Sequence, residues 1–466
     1  MREHSRCVLD VTKFRRLMAP KSTGSNKSKG NKNNKEIKSI LEKVNHIPFN
    51  RLAQERGFKQ GRVKKTSGKT LVIGFLMMSL QGKNTFQNWA EHVSLITGKI
   101  VSKQAIWKKV TPLLTSFLSV VLFDALRQQI VLHHKGFKQL DLFKNYKRIL
   151  IQDSTVIALP IWLSQFFPGN VSRGEIKALL KIQVVYDLLS NRFIHFEITT
   201  FRANDQSKAK DMLNLATSED LVIRDLGYFV LNCFEQMNEK AIHFISRLRN
   251  GVNIYELKTE EKINLLKELQ KGNGYDKWVL IGEKQKVKGP LVALPLTEEQ
   301  ASIRRRKAKE NRDQRLNHTK EYYKLLSYQL FITTEVKRIM TSKQVALTYG
   351  LRWRIESIFK CWKSSFHLQK TISQTCSLTK DRVLAMMYLM LIFILLFQVA
   401  IYNQAMKALE KKKIVFISLM KLCQFITAHL NLFFEKNFRT LMPLIIYHCS
   451  YDKRHDRQNF LEKIKN

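Results

Sequence analysis

The chain is short of acidic residues, since its 466 residues include 38 Asp and Glu against 80 Lys and Arg. The resulting formal net charge of +42 makes the isolated protein repel itself and indicates a polyanionic partner. Nucleic acid fits best, because each phosphate neutralised by Lys or Arg releases condensed counterions. A merely basic protein has the same charge balance, so charge alone does not define an activity.

Cysteine is also scarce, and its positions exclude two common roles. The six cysteines are Cys7, Cys233, Cys361, Cys376, Cys423 and Cys449. No two of them have the CxxC spacing of a zinc site, and nothing indicates a disulfide framework. The first residues lack the apolar core of a secretion signal, because residues 8–11 are followed at once by Lys13 and Arg15. We therefore expect a cytoplasmic, nucleoid-associated protein with reduced thiols.

Two predicted helices separated by Gly98 suggest a helix-turn-helix. The first covers residues 85–97, and the second follows a capping Ser102. We expect the second helix to turn Lys103, Gln104, Lys108 and Lys109 outward and Ala105, Ile106 and Val110 inward. A basic second helix is typical of DNA reading, although any small basic helical hairpin has the same pattern.

Residues 383–402 form an apolar run with one polar side chain, Gln398. The run is long enough to span a bilayer, and a helix buried inside a large protein has the same composition. Basic residues flank it on both sides, so no inside–outside bias separates the two interpretations. We favour the buried helix and expect no membrane partner, because the polar motif described below lies directly upstream.

The middle of the chain predicts an α/β core. Strands are predicted at residues 148–152, 181–186, 193–199, 221–224 and 243–247, and helices around 207–217 and 229–240. A turn at Ser190-Asn191 joins the second and third strands. Three antiparallel strands followed by alternating strands and helices describe a ribonuclease H-like mixed sheet, although this order fits other α/β folds.

The sharpest motif is Tyr349-x2-Arg352-x3-Glu356-x6-Lys363. On one continuous α-helix these residues and Lys360 share a narrow polar stripe, since each residue advances by about 100°. An adjacent apolar stripe predicts the buried face of the helix: Leu351, Ile355, Phe359, Trp362 and Phe366. A carboxylate among three cations and a phenol can hold a metal ion and a phosphate together. An ordinary amphipathic helix with ion pairs has the same pattern.

This motif resembles that of bacterial insertion-sequence transposases of the DDE superfamily, which share a ribonuclease H-like fold with retroviral integrases. The string RWRIESIFKCWKS is similar to the family's helix, and the resemblance extends more loosely over residues 140–375. It implies cut-and-paste DNA transposition with two divalent ions, Mg²⁺ with Mn²⁺ as a substitute. The implied partners are double-stranded DNA, as transposon ends and target, and a second copy of the chain in a homodimer.

The resemblance requires two further carboxylates at the ends of core strands. Asp153 in ILIQDST and Asp225 in LVIRDLGYF fit, because rigid strands can present ligands to a pair of ions. An aspartate after a strand is otherwise a cap or turn residue, and the competing aspartates are Asp187, Asp205 and Asp211. The residues that flank Asp153 and Asp225 match the family. We therefore expect Asp153, Asp225 and Glu356 to be the catalytic metal ligands.

The resemblance also implies residues that bind DNA. Arg352 and Lys363 would contact phosphates of the transposon end, Tyr349 would help to place the DNA, and Lys360 fits the same role on geometry. In relatives with a hairpin step, an aromatic residue near the last strand before the catalytic helix receives a flipped base. Tyr328 in YQLFITT is the nearest match, with plain sheet packing as the alternative.

These assignments predict six regions. They are a basic flexible N-terminal region (1–69, including the Lys- and Asn-rich segment 19–39), a helical DNA-binding region (70–140), the first part of the ribonuclease H-like core (141–250), an inserted β-rich and basic subdomain (251–325), the second part of the core with the catalytic-glutamate helix (326–375), and a helical C-terminal region (376–466). Two other functions remain open: a nuclease on the same fold that does not join DNA, and a basic DNA-binding protein without catalysis.

Overall fold

The computed structural model describes most of the chain. The described residues are 46–58, 66–80, 84–129, 141–172, 174–272, 274–310, 318–335, 339–372, 378–403, 405–406, 417–429 and 438–450. The segment 19–39, predicted to be flexible, lies outside them. The chain divides into two compact units, the first formed by Met1–Val131, Ile157–Leu179 and Ser357–Asp452, and the second by Leu132–Val156, Leu180–Glu356 and Lys453–Asn466.

Strands and helices alternate through the middle of the chain, and helices predominate on both sides of it. The strands are β1 (Arg148–Leu159), β2 (Pro168–Ser172), β3 (Glu175–Asp187), β4 (Arg192–Thr200), β5 (Asp220–Arg224), β6 (His243–Arg247), β7 (Ile254–Glu256), β8 (Tyr275–Ile281), β9 (Val287–Pro295) and β10 (Tyr328–Thr333). The α-helices are α1 (Phe49–Glu55), α2 (Gly68–Leu80), α3 (Phe86–Thr97), α4 (Lys103–Lys109), α5 (Pro112–Arg127), α6 (Met212–Leu215), α7 (Leu231–Glu239), α8 (Leu265–Gln270), α9 (Glu298–Glu310), α10 (Lys320–Leu325), α11 (Ser342–Gly350), α12 (Trp353–Ser364), α13 (Lys380–Phe397), α14 (Leu419–Ala428) and α15 (Phe438–Cys449).

The second unit is built on a mixed sheet in which β1, β5 and β6 run parallel and lie side by side. On the other side of β1 lies β3, which pairs with β4 in an antiparallel hairpin. The order β4-β3-β1-β5-β6 is that of a ribonuclease H-like core, so the predicted fold class is confirmed. The middle of β5 is buried on both faces, as its apolar run of Leu221, Val222 and Ile223 requires.

The predicted insertion between the two parts of the core is not a separate sheet. Strand β10 pairs with β6 on one side and with β9 on the other, both antiparallel, and β8 and β7 continue outward. The strands of residues 251–325 therefore extend the core sheet, because β10 supplies hydrogen-bonding groups on both of its edges.

Strand β1 is longer than predicted. It runs to Leu159 rather than ending at Gln152, although its parallel pairing with β5 does stop at Gln152, opposite Arg224. From Ser154 to Leu159, residues that lie outside the strand predicted from the sequence, burial alternates along β1.

The first unit contains the predicted helical pair. Thr85 caps α3, Gly98 ends it with φ of +68°, and the hydroxyl of Ser102 accepts a hydrogen bond from the backbone N–H of Ala105 at the start of α4. Ile106 and Val110 are buried as predicted. Ala105 is exposed, contrary to the prediction, because α4 has two turns and buries a single narrow edge.

Two further segments of the first unit bear on the sequence predictions. Helix α1 lies within the region predicted to be flexible, and it buries Phe49 and Leu52. Helix α13 continues as a π-helix over Gln398–Tyr402, and the side chains of α13 from Leu389 to Phe397 are buried, as the interpretation of a core helix requires. Among the described residues no single helix meets both the length and the apolarity needed to cross a bilayer, although the bent pair α4 and α5 does by length and composition.

Candidate active site

The two predicted aspartates lie next to each other at the point where the pairing of β1 with β5 ends. Gln152 of β1 is paired with Arg224 of β5, and this is the last pair between the two parallel strands. Asp153, within β1, and Asp225, directly after β5, are the next residues along the chain, so their backbones are about 5 Å apart by the ordinary spacing of neighbouring strands. Asp225 begins a short 3-10 turn, Leu226–Tyr228, but its carboxylate makes no capping hydrogen bond within the described structure. Its side chain is therefore available for another role.

Glu356 comes from a helix that begins after a break. The sequence predicts one continuous helix through Tyr349 and Lys363, but α11 ends at Gly350 and α12 begins at Trp353. The backbone N–H of Arg352 donates to the carbonyl of Tyr349, three residues back, in a tightened turn. Gly350 favours the break, because glycine is a poor helix former. The apolar stripe is nevertheless buried as predicted: Leu351, Ile355, Phe359, Trp362 and Phe366.

A single arginine side chain brings the three predicted carboxylates together. Nη1 of Arg352 lies 3.0 Å from Oδ2 of Asp153, and Nη2 lies 2.6 Å from Oε1 of Glu356. Nε of Arg352 lies 3.8 Å from Oδ1 of Asp225. The three acidic residues are 72 and 131 positions apart in the chain, so their meeting around one guanidinium group is a property of the fold.

The arrangement is suited to a divalent cation by its charge and donor type, since hard cations prefer carboxylate oxygens. In this conformation, however, the carboxylates are spread around the guanidinium. Among the described residues no group of three or more His, Cys, Asp or Glu side chains is close enough to hold an ion. In this conformation Arg352 is the cationic partner of all three carboxylates.

Burial distinguishes the three carboxylates. The side chain of Asp153 is 15% exposed, against 42% for Asp225 and 36% for Glu356. Burial raises the pKa of Asp153 to about 7, and the nearby Asp225 and Glu356 also raise it, against the opposing effects of the Ser154 backbone N–H and Arg352. The pKa of Arg352 itself is raised, because the surrounding carboxylates outweigh the effect of its burial.

The variant D153N is expected to remove a pH-dependent loss of stability from the metal-free protein. The Asp153 pKa is raised from 3.8 to about 7 on folding, so its stabilising contribution is complete below the lower value and is lost as the pH rises through the upper one. The free energy of unfolding of D153N minus that of the wild type should therefore increase by up to about 1.4 kcal/mol per pH unit in this window and level off above it. Denaturant titrations in a chelating buffer measure this difference; a difference independent of pH would contradict the prediction.

Tyr349 lies beside these groups on the last turn of α11. Its ring is buried and packs against Phe331 of β10, with 5.2 Å between ring centroids. Burial raises the pKa of Tyr349 to about 12, with a further contribution from Asp225, so its hydroxyl is protonated at neutral pH and can donate a hydrogen bond. Its role in placing DNA stays a prediction.

The other predicted DNA-binding residues lie on α12 and at the start of β10. Lys360 and Lys363 are one and two turns after Glu356 on α12, in the part of that helix that belongs to the first unit; Lys360 is exposed and burial lowers the pKa of Lys363. Tyr328 begins β10, where its ring packs against the apolar core and its hydroxyl donates to the carbonyl of Leu269. These contacts are those of the sheet-packing alternative.

The competing aspartates have other partners. Asp187 accepts hydrogen bonds from the backbone N–H groups of Ile149 and Leu189 and from the Ser190 hydroxyl, so it is a buried turn residue. Asp211 is paired with Lys208, with 3.6 Å between charged atoms. Asp205 belongs to a polar cluster with Lys181 and Gln183 of β3.

This polar cluster was missed by the sequence interpretation, which treated the second predicted strand as an apolar run. Lys181 and Gln183 are two residues apart and therefore lie on one face of β3, where both are buried. Two polar residues on one face of an otherwise apolar strand could have indicated a buried network.

Two-metal phosphoryl-transfer sites hold their ions with carboxylates, and this sheet and helix α12 present three carboxylates, Asp153, Asp225 and Glu356, around one arginine. The family model described as "Transposase DDE domain" matches residues 145–396, more than half of the chain. The chain belongs to this family. It is therefore a DNA-binding enzyme that cleaves DNA and transfers strands with divalent metal ions.

Several known transposases are similar over most of their length. The chain is 29% identical to the transposase for insertion sequence element IS231F of Bacillus thuringiensis subsp. israelensis, covering 78% of this chain and 79% of the relative. It is 27% identical to that for IS231D of Bacillus thuringiensis subsp. finitimus, covering 88% and 89%. It is 26% identical to that for IS1151 of Clostridium perfringens, covering 80% and 82%. Among solved structures, a cryo-EM piggyBac transposase synaptic complex with hairpin DNA covers 90% of this chain and 84% of its own, with a TM-score of 0.41 and 10% identity.

Proposed function

We propose that the chain moves an insertion sequence by cutting both of its ends and joining them to a target, with Asp153, Asp225 and Glu356 as the ligands of two Mg²⁺ ions. The contact of all three carboxylates with Arg352 carries this proposal. Positive charge placed among these carboxylates offsets their mutual repulsion. A divalent Mg²⁺ ion would supply more positive charge than one guanidinium group.

The protein's own residues would first bind and orient the DNA. Asp153, the least exposed of the three carboxylates, would be the shared ligand, with Asp225 and Glu356 completing one site each. When bound, the ions would polarise the scissile phosphate, activate the attacking water or 3′-hydroxyl and stabilise the leaving 3′-oxygen. Arg352, displaced from the carboxylates, would pair with a phosphate of the transposon end, and Tyr349, Lys360 and Lys363 would help to hold that end.

The remaining elements have proposed roles in binding and assembly. Helix α4 exposes Lys103, Lys108 and Lys109 beyond a capped glycine turn, which supports contact with DNA near the end of the element. Two copies of the chain would act together, because two ends must be processed in one event, and the protein would act in the cytoplasm at the nucleoid.

Incubation of the protein with a labelled duplex of the terminal repeat and a supercoiled plasmid tests the proposed reaction. A transposase of this kind yields labelled DNA joined to the plasmid, in the presence of Mg²⁺ and not of a chelator. Cleaved duplex without joined product would favour a nuclease, and binding without either product would favour a non-catalytic DNA-binding protein.

A further inference from the structure

A fourth carboxylate, Asp205, lies close to the catalytic aspartates but has no part in the proposed metal site. It begins a 3-10 helix, Asp205–Asp211, and its side chain is 26% exposed. One oxygen, Oδ1, accepts three hydrogen bonds: from Oγ of Ser154 at 3.1 Å, Nζ of Lys181 at 3.1 Å and Nε2 of Gln183 at 2.9 Å. The carboxylate therefore connects the 3-10 helix to β1 and β3.

The first of these bonds holds the backbone next to Asp153. Ser154 directly follows Asp153 and lies beyond Gln152, where the pairing of β1 with β5 stops. On that side of β1 the ladder no longer fixes the chain, so the bond from Ser154 to Asp205 restrains the backbone at the point where Asp153 projects. A shift of Ser154 would move Asp153 with it, because the two share a peptide bond.

The other oxygen of Asp205 faces the turn that follows Asp225. A Cβ added to Gly227 would lie 3.1 Å from Oδ2 of Asp205 and 3.3 Å from its Cβ, closer than ordinary packing allows. The next residue, Tyr228, donates its hydroxyl to Oε1 of Gln183 at 2.5 Å. The polar cluster of Asp205, Lys181 and Gln183 thus lies against the backbone on both sides of the proposed site. It contacts Ser154, next to Asp153, and the turn that follows Asp225.

The charge of Asp205 has a buried counterpart. The side chain of Lys181 is 6% exposed, and its ammonium group also donates to the carbonyl of Ala203 at 3.1 Å. Removing one member of a buried ion pair leaves the other charge desolvated and uncompensated. Loss of the Asp205 charge would therefore reorganise the cluster rather than leave it in place.

We propose that Asp205 is a positioning residue that fixes the separation of Asp153 and Asp225 by its hydrogen bond with Ser154 on one side and its close packing against the Gly227 turn on the other. The proposal rests on the proposed roles of Asp153 and Asp225. Two ions that share a ligand tolerate little displacement of their carboxylates, and partners that orient metal ligands typically contribute 10- to 100-fold to metal affinity or activity.

The test measures Mn²⁺ binding to the metal-free full chain by titration calorimetry, together with the melting temperature and the Mn²⁺ dependence of cleavage. D205N is expected to bind Mn²⁺ about 10- to 100-fold more weakly than the wild type and to regain cleavage as Mn²⁺ is raised. The control is D211N, which neutralises a carboxylate of the same 3-10 helix that is 42% exposed and paired with Lys208. It should match the wild type.

A second variant, at Gly227, tests the packing of Asp205 against the turn that follows Asp225. G227A should also weaken Mn²⁺ binding, because its new Cβ meets the Asp205 carboxylate. The double variant D205A/G227A should lose less affinity than the single variants D205A and G227A lose in sum, since the carboxylate that obstructs the Cβ is gone.

The outcomes separate this inference from the proposed function. If D153N abolishes Mn²⁺ binding but D205N binds as tightly as the wild type, the positioning role is wrong and the metal site stands. If D205N lowers the melting temperature without changing Mn²⁺ affinity, Asp205 is merely structural and the inference is again wrong. If D153N binds Mn²⁺ as the wild type does, the proposed metal ligands themselves are wrong.

Discussion

The variant E356Q is expected to lose DNA cleavage and joining by at least about 10²–10³-fold, the range that follows loss of one preorganised charge-stabilising group. Glutamine has the size of glutamate but no negative charge, so the site would keep its shape and lose a ligand. Its partner Arg352 would retain Asp153 at 3.0 Å, which keeps the fold of the site intact. Binding to the terminal repeat should be nearly unchanged, because phosphate contacts by Lys and Arg dominate affinity for DNA.

Gel-shift titrations and the plasmid-joining assay measure the two properties of E356Q separately. The matched control is E239Q, an exposed glutamate at the end of α7, which should cleave and join as the wild type does. Cleavage by E356Q at a wild-type rate would contradict the assignment of Glu356. Equal loss of binding and cleavage would show that the substitution damages DNA recognition rather than the reaction.

The sequence predicted those parts of the site that depend on local pattern. The strands β5 and β6 and the buried stripe of α12 follow from apolar runs and helical periodicity, which depend on neighbouring residues alone. The motif around Glu356 was specific for the same reason, since Arg352 and Glu356 are four residues apart and meet across one helical turn.

Features set by pairing between distant segments could not be predicted in the same way. The side-by-side placement of Asp153 and Asp225 depends on the register of β1 against β5, which no local pattern specifies. Asp205 had the same local features as the other candidate aspartates, and only its contacts with Ser154 and Gly227 distinguish it. The break after Gly350 was also missed, because a glycine inside a helical pattern is often tolerated.

The variant R352Q is expected to destabilise the metal-free protein and to make its stability depend strongly on divalent metal. The side chain of Arg352 is 9% exposed, so removing its charge leaves three carboxylates facing one another. Breaking a buried ion pair lowers the free energy of unfolding by about 3–5 kcal/mol. Because Asp225 and Glu356 are partly exposed, we expect a decrease near the lower end of this range. Added Mn²⁺ should restore stability, because ions that bind only the folded state stabilise it by mass action.

The response of R352Q to Mn²⁺ shows whether Arg352 and the ions compete for the same carboxylates or whether the substitution only destabilises the protein. If Arg352 must withdraw before ions bind, R352Q should bind Mn²⁺ more tightly than the wild type and gain more in melting temperature from it. It should still cleave DNA poorly, because a phosphate contact would be lost as well. R306Q removes an exposed arginine of α9 that is weakly paired with Glu310, and its response to Mn²⁺ should equal that of the wild type. An equal gain in R352Q and the wild type would mean that the guanidinium and the ions do not compete for the same carboxylates.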